Sequence, residues 1–342
     1  MAIDIFEPEV SQVIKGVQGK LFFIYGTNST GKTKNCAQAE KPLFAAFEKG
    51  LNAIPGKKFL SINKWNDWTR FVKQLTDPST KDQAKELYST IIVDTAEGMA
   101  NLASDFVCGA YGVNRIADGN KGYGLWREYS AEIEKWLKLL TNAGYTVIFI
   151  GHEGEREFLD ETGEKYSKLY PRGDKRVIDP ICDLVDVIGY AQIQPNVDGK
   201  EVKSTLYLKG TPAYHARSRF EYIVPEIKEW TFEKLSKALV DAITAEEKAS
   251  GVKAVSLDSA QKAATAKAEK EEAAKRPIED MIEEIGNRLK TAVSKYGKGV
   301  LQTYSQLLAD KLGNADFKAI EATDANRQQL DLILEGLTEL GY

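Results

Sequence analysis

The 342-residue chain is poor in cysteine: Cys36, Cys108 and Cys182 stand far apart, and no C-x-x-C pair occurs. That count and spacing argue against a disulfide framework and against a cysteine-built zinc site, and fit reduced thiols. No apolar run approaches the roughly 20 residues that cross a bilayer. The opening Met1-Ala2-Ile3-Asp4 lacks the basic-then-apolar order of a secretory signal. We therefore expect a soluble, cytoplasmic protein without membrane contact. An excess of positive charge is missing too, since 46 Lys and Arg face 50 Asp and Glu for a net charge of −4. This excludes a surface coated in basic residues, but not local basic loops that grip a phosphate backbone. Hydrophobic residues make up 43% of the chain and aromatics 10%, enough for a substantial core.

Against this background one motif stands out. Gly26-Thr27-Asn28-Ser29-Thr30-Gly31-Lys32-Thr33 fits G-x-x-x-x-G-K-[ST], the loop that cradles phosphates. Its glycines let the backbone curl so that several N–H groups converge on phosphate oxygens. Lys32 is placed to reach the β- and γ-phosphates, and the Thr33 hydroxyl to ligate Mg²⁺. The apolar run Leu21 to Tyr25 precedes it as a buried strand. Lys34 to Glu40 follows without a breaker before Pro42 and reads as helix.

The first two-thirds of the chain alternates strand-like and helix-like segments. Strands are expected at 57–62, 89–94, 145–150, 184–193 and 204–209. Helices are expected at 68–75 and 126–142, the latter stopped by Gly144. The run Tyr145 to Ile150 is the most apolar and should be central. Alternating strands and helices imply an α/β fold with a mostly parallel sheet covered on both faces. Two stretches read as loops off this core, 105–124 and the charged 154–176. We expect the core over 1–225. Residues 226–276 read as a charged, Ala/Glu/Lys-rich helical linker. Amphipathic patterns then return in a small helical domain over 277–342.

Further residues carry chemistry at the ends of these strands. Asp94 closes the Ile91-Ile92-Val93 strand, where a carboxylate holds Mg²⁺. Gly151-His152-Glu153 follows the central strand, and ligands of open parallel sheets sit at such carboxyl ends. His152, one of two histidines, is a candidate sensor of the γ-phosphate, and Glu153 a candidate for orienting water. Arg217 and Arg219 stand two apart, so in an extended segment both guanidinium groups leave one side. They suit an arginine finger reaching ATP on a neighbouring subunit.

Together, the loop 26–33, the strand ending at Asp94, Gly151-His152-Glu153 and Arg217-Ser218-Arg219-Phe220 resemble the RecA-like ATPases of bacteriophages, in particular the Sak4-type single-strand annealing and recombination proteins. Trp126-Arg127-Glu128-Tyr129 looks similar as well. The resemblance covers about Lys20 to Val224. It implies a RecA-like P-loop NTPase core using ATP and Mg²⁺ and assembling as a homo-oligomer, ring or filament. Its implied partners are single-stranded DNA and other recombination proteins, such as a single-strand-binding protein, in the cytoplasm of a bacterial host. The chain departs from RecA in one respect. RecA has a glutamate base just after its second core strand, and the matching stretch here, Ser61 to Asp67, holds no glutamate. The water-activating acid is then Asp67, Glu97 or Glu153. The loops 105–124 and 154–176 would face DNA, with Tyr111, Tyr123, Tyr166 and Tyr170 stacking on bases. The alternatives are a hexameric helicase-like motor, a nucleotide-gated assembly factor and a P-loop kinase.

Overall fold

The structure, a computed model, describes residues 10–193, 204–257, 259–260, 262–263, 277–312 and 327–342. The chain forms two compact units, Met1–Ala260 and Gln261–Tyr342.

The first unit is built on one sheet. Its core strands are β1 (Leu21–Gly26), β2 (Pro42–Ala46), β4 (Thr90–Asp94), the first half of β5 (Thr146–Leu159) and β7 (Val187–Ile193). They are near-continuous apolar runs because both faces of the sheet are covered. Successive side chains point to opposite faces. Phe23, Tyr25, Ile91, Val93, Val147 and Phe149 therefore enter one core, and Phe22, Ile24, Ile92, Ile148 and Ile150 the other. The first core is closed by helices α2 (Trp65–Thr76), α4 (Ala96–Tyr111), α5 (Trp126–Asn142) and α6 (Lys175–Leu184). On α5 the buried Tyr129, Ile133, Trp136, Leu137 and Leu140 recur at helical spacing, and Gly144 (φ 80°) turns the chain away.

The strand order is β10-β8-β7-β1-β5-β4-β2-β3, where β3 is Lys58–Ser61, β8 Ser204–Tyr207 and β10 Glu226–Lys228. From β3 to β7 every pairing is parallel, and β8 and β10 add antiparallel strands at one edge. The α/β class and the mostly parallel sheet agree with the sequence, as does the central β5, which lies between β1 and β4.

Several expectations need correction. The predicted helix after the phosphate loop is only α1 (Lys32–Cys36), because the chain turns back at once into β2. Pro42 does not break that strand; it stands at its first residue, where a missing N–H costs least. The stretch 154–176 is no loop. The outer half of β5 pairs with β6 (Lys165–Pro171) in an antiparallel hairpin, and α6 follows. The stretch 105–124 is α4 as far as Tyr111, then short turns pinned by the buried Ile116 and Leu125.

The core also does not end at 225. β10 joins the sheet, and α7 (Phe232–Ser250) covers its second face through Phe232, Leu235, Leu239, Ala242 and Ile243. Trp230 is buried, and its carbonyl accepts from Asn35 Nδ2 at 2.9 Å. Of the linker predicted over 226–276, residues 258, 261 and 264–276 lie outside the described residues. In the second unit, α8 (Ile278–Tyr296), α9 (Gly299–Leu312) and α10 (Arg327–Glu339) share a small core of Ile278, Met281, Ile285, Tyr304, Leu308, Leu330, Ile333 and Leu337.

Candidate functional site

Register sets the height of each residue above the sheet. Gly26, at the end of β1, is level with His152 on one side and Ala191 on the other. Asp94, at the end of β4, is level with Ile150 and with Ala46 of β2. Residues two positions beyond Ile150 and Ala46, namely His152 and Glu48, thus rise to one level at the carboxyl ends of the strands. They flank the turn from Asp94 into α4.

The phosphate loop crosses this end of the sheet. Gly26 has φ of 150°, and a Cβ there would lie 1.9 Å from the Ala191 carbonyl oxygen, so only glycine fits. Gly31 has φ of 76° and leads into α1. Lys32 is 7% exposed, and its ammonium donates to the carbonyls of Gly26 (3.0 Å) and Thr27 (2.7 Å). Burial lowers its pKa, partly offset by Asp94 and Glu97. Thr33 Oγ1 donates to Asp94 Oδ2 at 2.9 Å. Asp94 is 6% exposed, and burial raises its carboxyl to about 6 despite that bond. A desolvated carboxylate touching a hydroxyl is a donor pair suited to a hard divalent cation, and Thr33 and Asp94 would hold Mg²⁺. The ion would neutralise charge on the β- and γ-phosphates.

A cleft of about 290 Å³ opens over the loop. Asn28 to Lys34, Glu48, Gly50, Asp94, Thr95 and His152 are among its walls. A larger cavity of about 640 Å³, edged by Lys81, Lys85, Lys135 and Lys138, lies between the ends of α2 and α5 and the short helix α3 (Lys81–Leu87). α3 and α5 lead into the amino ends of β4 and β5, so that cavity is remote from the phosphate loop. Size does not mark the site; the phosphate-binding groups do.

Glu48 is not among the residues that the motifs single out. Its signal is hidden because Pro42 masks β2, the strand beside β4. With β2 in place, Glu48 is the glutamate just after the core strand next to Asp94. It is exposed at the cleft, and its Oε1 accepts from Thr95 Oγ1 at 2.8 Å.

Glu97, in the first turn of α4, is 8% exposed and joins three groups. Its Oε1 accepts from the His152 backbone N–H (3.1 Å), contacts His152 Nδ1 closely, and lies 3.4 Å from the Arg172 guanidinium. Arg172 follows β6, and its N–H donates to the His152 carbonyl at 2.8 Å. Glu97 thus fastens both strands of the β5–β6 hairpin where they leave the sheet.

The other candidates lie elsewhere. Glu153, at the hairpin base, accepts from the Tyr190 hydroxyl at 2.8 Å. Asp67 accepts from the Asn63 and Lys64 N–H groups (3.2 and 3.0 Å) and so caps α2 outside the cleft. Arg217 lies in β9 (Arg217–Ser218), which pairs with the start of β7. That is the amino end of the sheet, roughly four residues or 13 Å from the loop along β1. Arg217 donates to the carbonyls of Cys182, Asp183 (3.0 Å) and Val185 (3.3 Å). Arg219 donates to those of Asp183 (2.7 Å) and Leu184 (3.2 Å). Both arginines serve the carboxyl end of α6, where cations and unpaired carbonyls attract. Tyr170 is packed between the Arg156 guanidinium, 4.0 Å from its ring centre, and the His215 ring at 4.5 Å. Tyr111 (57%) and Tyr123 (83%) leave their rings to solvent.

Comparison with known proteins places this geometry. Residues 18–220 match the family model described as an AAA domain. The chain is also 41% identical over 344 residues to the SPbeta prophage-derived protein YorG of Bacillus subtilis (strain 168), with 99% of each chain covered. The matched segment opens just before β1 and closes just after β9, so it takes in the phosphate loop, Asp94, Glu48 and the hairpin. With that loop at the carboxyl ends of a parallel sheet, the chain belongs to the AAA domain family of P-loop ATPases.

Proposed function

We propose that the protein hydrolyses ATP in a cycle coupled to single-stranded DNA, as a RecA-like recombination ATPase of phage origin. The observation that carries this reading is the Glu97 tether. It ties the nucleotide cleft, through His152 and Arg172, to both strands of a hairpin that leaves the sheet beside the phosphate loop. The prophage derivation of YorG supports the phage setting.

In this reading Lys32 and the loop N–H groups bind the β- and γ-phosphates, and Thr33 and Asp94 take the Mg²⁺. Glu48 orients and deprotonates the attacking water, with Thr95 Oγ1 holding its carboxylate. Glu48 replaces Asp67, Glu97 and Glu153 in that role: Asp67 is a helix cap, Glu97 is engaged by His152 and Arg172, and Glu153 holds Tyr190. Its place beside Asp94 favours turnover over a nucleotide-gated assembly factor without it. His152 is the residue through which the γ-phosphate acts on Glu97, so ATP loading changes the grip on the hairpin. The hairpin's Lys165 and Lys168 meet the DNA backbone. The active unit is a homo-oligomer. Its trans-acting residue need not be Arg217 or Arg219, whose donors are taken up inside the chain.

The test is ATP turnover with and without single-stranded DNA. Stimulation by single strands and not by duplex supports the reading. Phosphoryl transfer to a nucleoside monophosphate, or turnover indifferent to DNA, overturns it.

A further inference from the structure

We infer that Glu48, Glu97 and His152 form a second cation site, separate from the Thr33–Asp94 pair, that takes a first-row transition-metal divalent cation of the zinc or cobalt class. Each residue offers one ligand atom, and the three atoms lie within 4.8 Å of one another. Two carboxylates and an imidazole are a donor set for such metals rather than for magnesium, which prefers oxygen alone.

A second observation points to a ligand there. Glu97 is 8% exposed, and its Oε2 is fully buried without a hydrogen-bond partner among the described residues. A lone buried carboxylate oxygen is costly unless something pairs with it, and a bound cation would satisfy it. Tetrahedral ligands at about 2.1 Å from a metal lie about 3.4 Å apart. The widest separation in the cluster exceeds that by up to about 1.4 Å, whereas Glu97 and His152 stand closer than that. The adjustment falls on Glu48, which is exposed and would exchange its hydrogen bond from Thr95 Oγ1 for the ion, while Glu97 and His152 are already in contact. The metal would replace the present contact between the His152 ring and Glu97. Arg172 opposes it, because its guanidinium shares Glu97 Oε1, but that side chain is 58% exposed and can turn to solvent. All three cysteines are buried, and none is part of the cluster.

The site stands on this geometry alone, whether or not hydrolysis responds to DNA. If Glu48 also orients water, an ion here withdraws it from that task. The experiment is titration of the full-length, nucleotide-free protein with Co²⁺, followed by visible absorption and calorimetry. One equivalent is expected to bind with a d–d band, and Asp94→Asn should keep it. His152→Ala and Glu48→Gln should each weaken binding by at least about tenfold, a ligand being worth no less than its outer-sphere support. Glu48 is exposed, so its variant tests the site without threatening the fold. Absence of saturable binding, binding unchanged in both His152→Ala and Glu48→Gln, or loss in Asp94→Asn with retention in those two would each overturn the assignment.

Discussion

At the scale of single residues, two side chains divide binding from turnover. Lys32 is buried among loop carbonyls, and in the proposed reading its charge meets the phosphates. Lys32→Ala should weaken ATP binding by at least about 100-fold, ~2.7 kcal/mol, with the circular-dichroism spectrum unchanged. Nucleotide affinity equal to wild type would refute the loop assignment. Glu48→Gln should do the opposite, keeping ATP affinity within about twofold while kcat falls by about 10²–10⁴, the range of a positioned general base. A variant that turns over normally would return the role to another acid. A third residue gives a pH signature. Burial, with Lys168, Arg217 and Arg156 adding to it, lowers His215 from 6.5 to about 4. Between those values the unfolded chain binds the extra proton and the folded chain does not. Stability must therefore fall as pH drops from 6.5 toward 4, and the contribution levels off below 4. His215→Phe keeps the stack on Tyr170 and should flatten this part of the melting-temperature profile. The protein has only two histidines, so NMR can follow both rings. Titration of His215 near its ordinary value would sink the argument.

Among the elements, what was legible followed from periodicity. Continuous apolar runs gave β1, β4 and β5, and the helical spacing of Ile133, Trp136, Leu137 and Leu140 gave α5 with both its ends. Asp94 and the phosphate loop were legible because the chemistry fixes their spacing. β2 was not, since five residues opened by a proline carry no pattern of their own, and the sheet supplies the reason for them to be extended. Losing β2 hid Glu48 and left the search for the base among Asp67, Glu97 and Glu153. The hairpin was missed for a related reason. Beyond His152 the outer half of β5 is mostly charged, and Tyr166, Leu169 and Tyr170 of β6 do not alternate strictly with polar residues, so periodicity gives no signal, and cross-strand pairing from Glu153↔Pro171 to Leu159↔Lys165 holds the hairpin. Its basic residues are also unequal. Arg156 is bound to Asp179 at 2.5 Å and lies over Tyr170, so it is structural. Lys165 is 70% exposed. The double change Lys165→Glu, Lys168→Glu should therefore weaken single-stranded DNA binding and flatten its salt dependence by up to two phosphate contacts. ATP affinity should not move. Unchanged DNA affinity would move the contact surface off the hairpin.

For the molecule as a whole, the decisive fact is that its two units have separate cores. The cores on either face of the sheet draw on residues no later than Ala254, and the helical core on none before Ile278. Among the described residues, each core is thus made up within its own unit. The helical unit is small, and chains of about 60 residues bury a lower fraction of their surface and are correspondingly marginal. It should melt first. The chain offers a way to see this, because all five tryptophans, Trp65, Trp68, Trp126, Trp136 and Trp230, lie in the sheet unit. Tryptophan fluorescence thus reports that unit alone, whereas far-ultraviolet circular dichroism reports both. In the full-length chain the ellipticity should begin to fall at a lower temperature than the fluorescence changes. Truncation after Ala260 should remove the early phase, leave the fluorescence transition within about 2 °C, no more than the smallest shift that 1 kcal/mol produces in a domain this size, and preserve ATP binding. Truncation at the boundary read from sequence, after 225, should instead unfold the protein. It strips β10, Trp230 and α7 from the second face of the sheet and leaves Phe22, Ile24, Ile148 and Ile150 facing water. At about 1.5–3 kcal/mol for each large side chain uncovered, that loss is comparable with the whole margin of an ordinary domain. A folded, nucleotide-binding 1–225 fragment would show that α7 is an accessory, and that the sheet is closed by something other than the helix packed on it.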